Sequence, residues 1–130
     1  MFEHQLFLYA VLSGVLLGGF YAAVSVGLTL AFGQLNIVNI AHPAFVILGS
    51  YTAYATNLSL GLDPIVSGIL CMPVFFVGGI VLYRIYHGCF ESRGDESLRG
   101  MVFFFGVMFV IEVALITAYG VDYRLVDASY

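Results

Sequence analysis

The chain has 130 residues, 62% of them hydrophobic and 9% charged, with a mean hydropathy of +1.03. These values exclude a disordered chain and an ordinary water-soluble domain. The net charge of -4 is small and scattered and offers no basic patch for nucleic acid. No Asp, Glu, Lys or Arg occurs between Glu3 and Asp63, so the solvent that suits this stretch is a lipid bilayer. At ~20 residues per crossing, the length allows about four membrane-spanning helices. The expected fold is therefore all-α: a polytopic helical membrane protein with about four transmembrane helices and a break near Pro43.

The opening MFEHQLFLYAVLSG has no positive n-region, and its apolar run is too long for a signal-peptide core. It reads as a retained span. The first span covers residues 6–32, which at ~1.5 Å per residue makes ~40 Å of helix, more than a ~30 Å hydrocarbon core needs. It should tilt or bend, and Gly33 should close it. The segment GQLNIVNIAHP follows, uncharged but polar, with Gln34, Asn36, Asn39 and His42. Pro43 suits a first helical turn, which places the second span at 43–60, closed by Gly61. Asp63-Pro64 predicts an N-cap with proline at N1 of a third span, 64–86, with a kink at Pro73. HGCFESRGDESLRG is the charge-rich run and predicts an aqueous loop over 87–100. The fourth span, 101–119, ends at Gly120, before a polar, amphipathic tail.

All four cations are arginines, and Arg84, Arg93 and Arg99 flank the loop at 87–100. The positive-inside rule makes that loop cytoplasmic and puts the N-terminus outside. Arg124 in the tail leans the other way. Tyr83 and Tyr86 beside Arg84 read as an interfacial anchor.

Few residues carry chemistry. Gly19, Ala23, Gly27 and Ala31 recur at i, i+4 on the first span, a seam that lets another helix approach closely. Asn36, Asn39, His42 and Pro43 form a polar break. Two readings of it stay open. It is either a plain turn with His42 as N-cap, or non-helical chain at membrane depth lining a solute path, as in transporters. Glu112 falls in the middle of the fourth span, where a carboxyl group either marks a path or bonds a neighbouring helix. Cys71 and Cys89 have no metal-ligand spacing and read as free thiols. No Ser-His-Asp set, phosphate loop, paired carboxylates or HExxH occurs. The chain does not read as an enzyme, and no cofactor or metal is expected.

The string from Gly14 to Tyr54 resembles the opening of LivH-type permeases, the membrane subunits of bacterial ABC importers for branched-chain amino acids, with relatives for urea and short amides. The likeness rests on four pieces: Gly18-Gly19-Phe20-Tyr21-Ala22, then Gly27-Leu28-Thr29-Leu30-Ala31-Phe32-Gly33, then Val38-Asn39-Ile40-Ala41-His42, then Leu48-Gly49-Ser50-Tyr51. Tyr83-Arg84 and Leu98-Arg99-Gly100 resemble a cytoplasmic stretch of the family, here interrupted by extra residues. Pro43 stands where family members usually have glycine. The resemblance covers about the first half of a family member. The chain therefore reads as the N-terminal part of a permease domain: a fragment, a truncated product or half of a split permease. The resemblance implies a multi-pass protein of the bacterial inner membrane. Its implied partners are a second permease subunit, two ATP-binding subunits that carry the ATP hydrolysis, and an extracytoplasmic substrate-binding protein. The alternative is a small helical accessory or scaffold protein without transport activity.

The orientation has a direct test. A membrane-impermeant thiol reagent is expected to leave Cys89 unlabelled in intact cells and to label it in inside-out vesicles. Labelling in intact cells would reverse the assignment.

Overall fold

The computed structural model describes residues 2–35, 38–90 and 96–122, and the chain divides into two units, Met1–Asn36 and Ile37–Tyr130. The first unit is one helix, α1 (Phe2–Leu35), of 34 residues, which makes it ~51 Å long. It passes through Gly33, where the sequence predicted its end. A glycine inside a helix costs only about 1 kcal/mol relative to alanine, too little to stop it without a proline or a cap. Leu6, Phe7, Val15 and Leu16 stand exposed along α1. The Thr29 hydroxyl donates back to the Ser25 carbonyl at 2.8 Å.

The second unit holds α2 (His42–Leu60), α3 (Pro64–Phe90) and α4 (Glu96–Tyr119). Gly61 ends α2 in the left-handed conformation, φ 64°, with its N–H donating to the Asn57 carbonyl at 2.9 Å. The Asn57 amide donates onward to the Leu62 carbonyl at 2.9 Å. Asp63 then caps α3: its Oδ1 accepts the Ile65 N–H at 2.9 Å, and Pro64 occupies the first helical position, which needs no donor. Gly120 stops α4 in the same left-handed way, φ 76°.

Two expectations are adjusted. Of the loop expected at 87–100, residues 87–90 are helical in α3 and 96–100 are helical in α4; residues 91–95 lie outside the described set. Charges mark where water begins, not where a helix must stop, because helical backbone bonds stay satisfied in either solvent. Three helices, over Glu3–Gly33, Pro64–Phe90 and Leu98–Tyr119, are long and apolar enough to cross a membrane. α2 is not among them. Its 19 residues have the length, but Ser50, Tyr51, Thr52, Tyr54, Thr56 and Asn57 make its second half polar. α3 continues as helix through Pro73.

The three helices pack on one another, and α2 makes the more extensive contact with each of its two neighbours. One cavity between α2 and α3 is lined by Phe45, Gly49 and Ala53 facing Phe75, Cys71 and Ser67, an antiparallel register. Against α4 the register is parallel, since Phe45 faces Val102–Gly106 while Tyr51 lies 4.8 Å, ring to ring, from Tyr119. The polar second half of α2 is thus half-buried, and its hydroxyls are satisfied locally: Thr52 donates to the Leu48 carbonyl at 2.7 Å and Thr56 to the Thr52 carbonyl at 2.8 Å.

Among the described residues the apolar core is small: Ala41, Ala44 and Tyr86. The outward faces of α3 and α4 carry large apolar side chains such as Ile69, Phe76, Phe109 and Val113. That is the reverse of a water-soluble bundle and fits lipid as solvent. Tyr86 is 3% exposed, with ring centroids of Phe90, Phe103 and Phe104 at 6.2, 5.7 and 6.0 Å. The residue read as an interfacial anchor instead joins α3 to α4. Tyr86→Ala is expected to cost about 3 kcal/mol, as for a large core ring, and Asp63→Ala about 1 kcal/mol, as for a lost cap. Unfolding titrations followed by circular dichroism in detergent micelles should give that order. A smaller loss at Tyr86 than at Asp63 would remove the ring cluster as the main tie.

Candidate functional site

The polar break becomes a compact turn entering α2. The Ile40 N–H donates to the Val38 carbonyl at 3.1 Å and the His42 N–H to the Asn39 carbonyl at 3.3 Å. Ala41 is the N-cap, fully buried, and no side chain among the described residues caps this end. His42 is the first residue of the helix, which removes the reading of its side chain as N-cap. Pro43 follows with its ring in the first turn, where a missing N–H costs nothing. Asn36 lies outside the described residues. Asn39 is half-buried, and its Oδ1 meets no hydrogen-bond partner among the described residues.

The depth of this turn follows from the register. Phe45, in the first turn of α2, shares a cavity of ≈ 580 Å³ with Leu82 and Phe90 of α3 and with Val102, Phe103 and Gly106 of α4. In the antiparallel register with α3, Phe45 shares a further cavity with Phe75, and from Phe75 α3 runs on to Phe90, about four further turns or ~22 Å. α2 therefore begins short of the ends of its neighbours, inside the stack. A helix N-terminus there presents N–H donors and a partial positive charge where lipid offers no hydrogen bonds.

Glu112 sits in the interior of α4, and its side chain is exposed. Pro43 and Glu112, distant in sequence, line one cavity of ≈ 340 Å³ between α2 and α4. Ala44, Ile47 and Tyr51 complete the α2 wall; Met108, Ile111, Leu115 and Ile116 complete the α4 wall. Among the described residues Glu112 is the one carboxyl group on the cavity, and no cationic side chain lines it. Tyr51 meets Tyr119 with tilted rings at 4.8 Å and Tyr54 meets it edge-on at 6.3 Å, which joins the two walls beside the cavity. A carboxyl group in aliphatic surroundings can accept hydrogen bonds from an ammonium or amide donor while the walls take an apolar chain. Asn39 and His42 precede the cavity on the turn and do not line it.

Sequence reading singled out Pro43 and Glu112 but not their shared cavity, nor Ile47, Tyr51 and Leu115. The signal was present as spacing: Pro43, Ile47 and Tyr51 are i, i+4, i+8, and Met108, Glu112 and Leu115 are i, i+4, i+7. The second cavity, ≈ 330 Å³ between α2 and α3, holds Ser67, 1% exposed with an unpartnered hydroxyl among the described residues. The α1 residues Gly19, Ala23 and Gly27 are exposed and Ala31 is half-buried. No group of His, Cys, Asp or Glu that could hold a metal occurs among the described residues, and Cys71 and Cys89 are free thiols.

Comparison with known proteins adds a direct likeness. The chain is 34% identical over 93 residues to the high-affinity branched-chain amino acid transport system permease protein LivH of Escherichia coli (strain K12), covering 72% of this chain and 30% of that protein. LivH of Salmonella typhimurium is 30% identical over 93 residues, with the same coverage. BraD of Pseudomonas aeruginosa, a permease protein of the same description, is 27% identical over 94 residues, covering 72% of this chain and 31% of BraD. The chain is similar to LivH permeases. The matched stretch spans about 30% of the length of these curated relatives. No protein-family model matches the chain, and no solved structure matches it.

Proposed function

We propose that the chain is a membrane-spanning permease component of an ATP-driven importer for branched-chain amino acids, in the bacterial inner membrane. The observation that carries this reading is the α2–α4 cavity. A helix that begins inside the stack and a carboxyl group from another helix converge there on aliphatic walls. In lipid such an arrangement is costly unless it lines a path for a polar solute. The likeness to LivH and BraD supports the same reading. The walls of Ile47, Met108, Ile111 and Leu115 favour a solute with an aliphatic side chain over urea or an amide.

In this reading Asn36, Asn39 and His42 line the approach to the cavity, and Pro43 and Glu112 line the cavity itself. The chain is not an enzyme: ATP hydrolysis lies on two ATP-binding partners, and an extracytoplasmic binding protein delivers the solute. In this reading α2 crosses as a fourth span sheltered between α3 and α4, so that the region 87–100 faces the cytoplasm and the N-terminus faces outside, and a second permease subunit completes the path. The seam of Gly19, Ala23, Gly27 and Ala31 is the face of α1 that meets another helix of the assembly.

Two measurements test this. In the native assembly, His42→Ala is expected to lower uptake of labelled leucine roughly tenfold, the worth of one hydrogen bond to a charged group, at an unchanged amount of membrane-inserted protein. Parallel loss of protein and uptake would make the turn purely structural. Gly27→Leu is expected to weaken co-purification of the chain with its partner permease, because the added bulk holds two helix backbones apart. Undiminished co-purification would move the assembly face elsewhere.

A further inference from the structure

We propose that the α2–α4 cavity is an ammonium site, which takes a primary aliphatic ammonium with its charge at Glu112 and its carbon chain along Ile47, Met108 and Leu115. The inference deepens the permease reading and rests on it in taking the guest to be a transported solute.

Three observations converge. Among the described residues Glu112 is the single carboxyl group on a cavity otherwise walled by aliphatic side chains, Met108, Pro43, Tyr51 and backbone-exposing Gly120. Among the described residues it takes part in no ion pair or hydrogen bond, so its acceptor oxygens are not committed to a structural partner. The cavity volume of ≈ 340 Å³ leaves room for a guest of several carbon atoms beside the carboxylate. Charge selects the guest. A carboxylate surrounded by hydrocarbon favours a cation that both donates hydrogen bonds and brings its own apolar surface, and rejects an anion of the same shape. Arg84 and Arg99, the cations of the described residues, are not among the lining residues and do not compete for it. Tyr51, held against Tyr119, adds an aromatic face to the α2 wall.

The test uses the full chain in lipid nanodiscs, with empty nanodiscs subtracted, and two probes of equal shape: 3-methylbutylammonium and 4-methylpentanoate. Equilibrium dialysis should show saturable binding of the ammonium and none of the carboxylate. Glu112→Gln is expected to weaken ammonium binding by at least about tenfold, the scale of one charge-assisted hydrogen bond, and Glu112→Asp to weaken it less. Ile47→Trp, which fills the cavity and leaves the carboxylate in place, is expected to weaken it by a similar factor. Circular dichroism of each variant establishes that helix content is unchanged. Undiminished ammonium binding in Glu112→Gln, or in Ile47→Trp, overturns the site, as does equal binding of the two probes. Leucine uptake by the native assembly is measured alongside. Uptake indifferent to Glu112→Gln, with no ammonium binding, removes the site and leaves the permease reading standing. Ammonium binding that depends on Glu112, with no leucine uptake in any variant, keeps the site and removes the permease reading.

Discussion

Lipid cannot hydrogen-bond to a peptide group, and the organisation of the second unit follows from that limit. Where α2 begins inside the stack, its first N–H groups and the carbonyls of the preceding turn must find partners in protein. Some do: the Val38–Ala41 turn bonds internally, and Ala41 is packed out of reach of solvent. α3 and α4 both extend past this end of α2. The same limit acts on the side chains of α2. Its serines and threonines turn their hydroxyls onto carbonyls of the preceding turn, which lets a polar helix sit between two apolar ones without buried orphans along that stretch.

Packing then separates two kinds of helix. α3 and α4 are largely apolar and present most of that surface outward, as lipid-facing helices do. α2 is less apolar and is held by both neighbours. Its half-buried position is thus a consequence of its composition, since the bilayer is the worse solvent for tyrosine, threonine and asparagine side chains. The aromatic tie of Tyr86 at one end and the tyrosines around Tyr119 at the other hold the three helices, whose buried apolar residues among those described are few and include no large aliphatic side chain.

Much of this was legible in the residues. Asp63-Pro64 and the two terminal glycines at 61 and 120 fixed helix ends through mechanisms that act within a few residues, and local mechanisms survive any tertiary arrangement. Pro43 marked the start of α2 for the same reason. What sequence could not carry was depth. Whether the turn before His42 lay at the rim or inside depended on how far α3 and α4 ran beyond α2, which is set by packing between distant segments. Gly33 and the 87–100 charges misled in a shared way: each was read as a stop, while helical backbone tolerates both. The meeting of Pro43 with Glu112 is a parallel-register fact about α2 and α4, and residues nearly seventy apart leave no local trace of it. Only the i, i+4 spacing of the lining residues on each helix was available in advance.

The link between α2 and α3 has a mechanical corollary. Three residues, 61–63, connect the helices, with Gly61 bonded to Asn57, Asn57 to Leu62, and Asp63 to Ile65. So short and so fully bonded a connection cannot lengthen. Any splaying of α2 away from α3 must pivot there. With a lever arm of about 28 Å, one degree of rotation at the link displaces Pro43 by about half an ångström. The fulcrum and the working end are thus at opposite ends of one helix, and the cavity wall that carries Pro43 is the part of α2 that sweeps farthest.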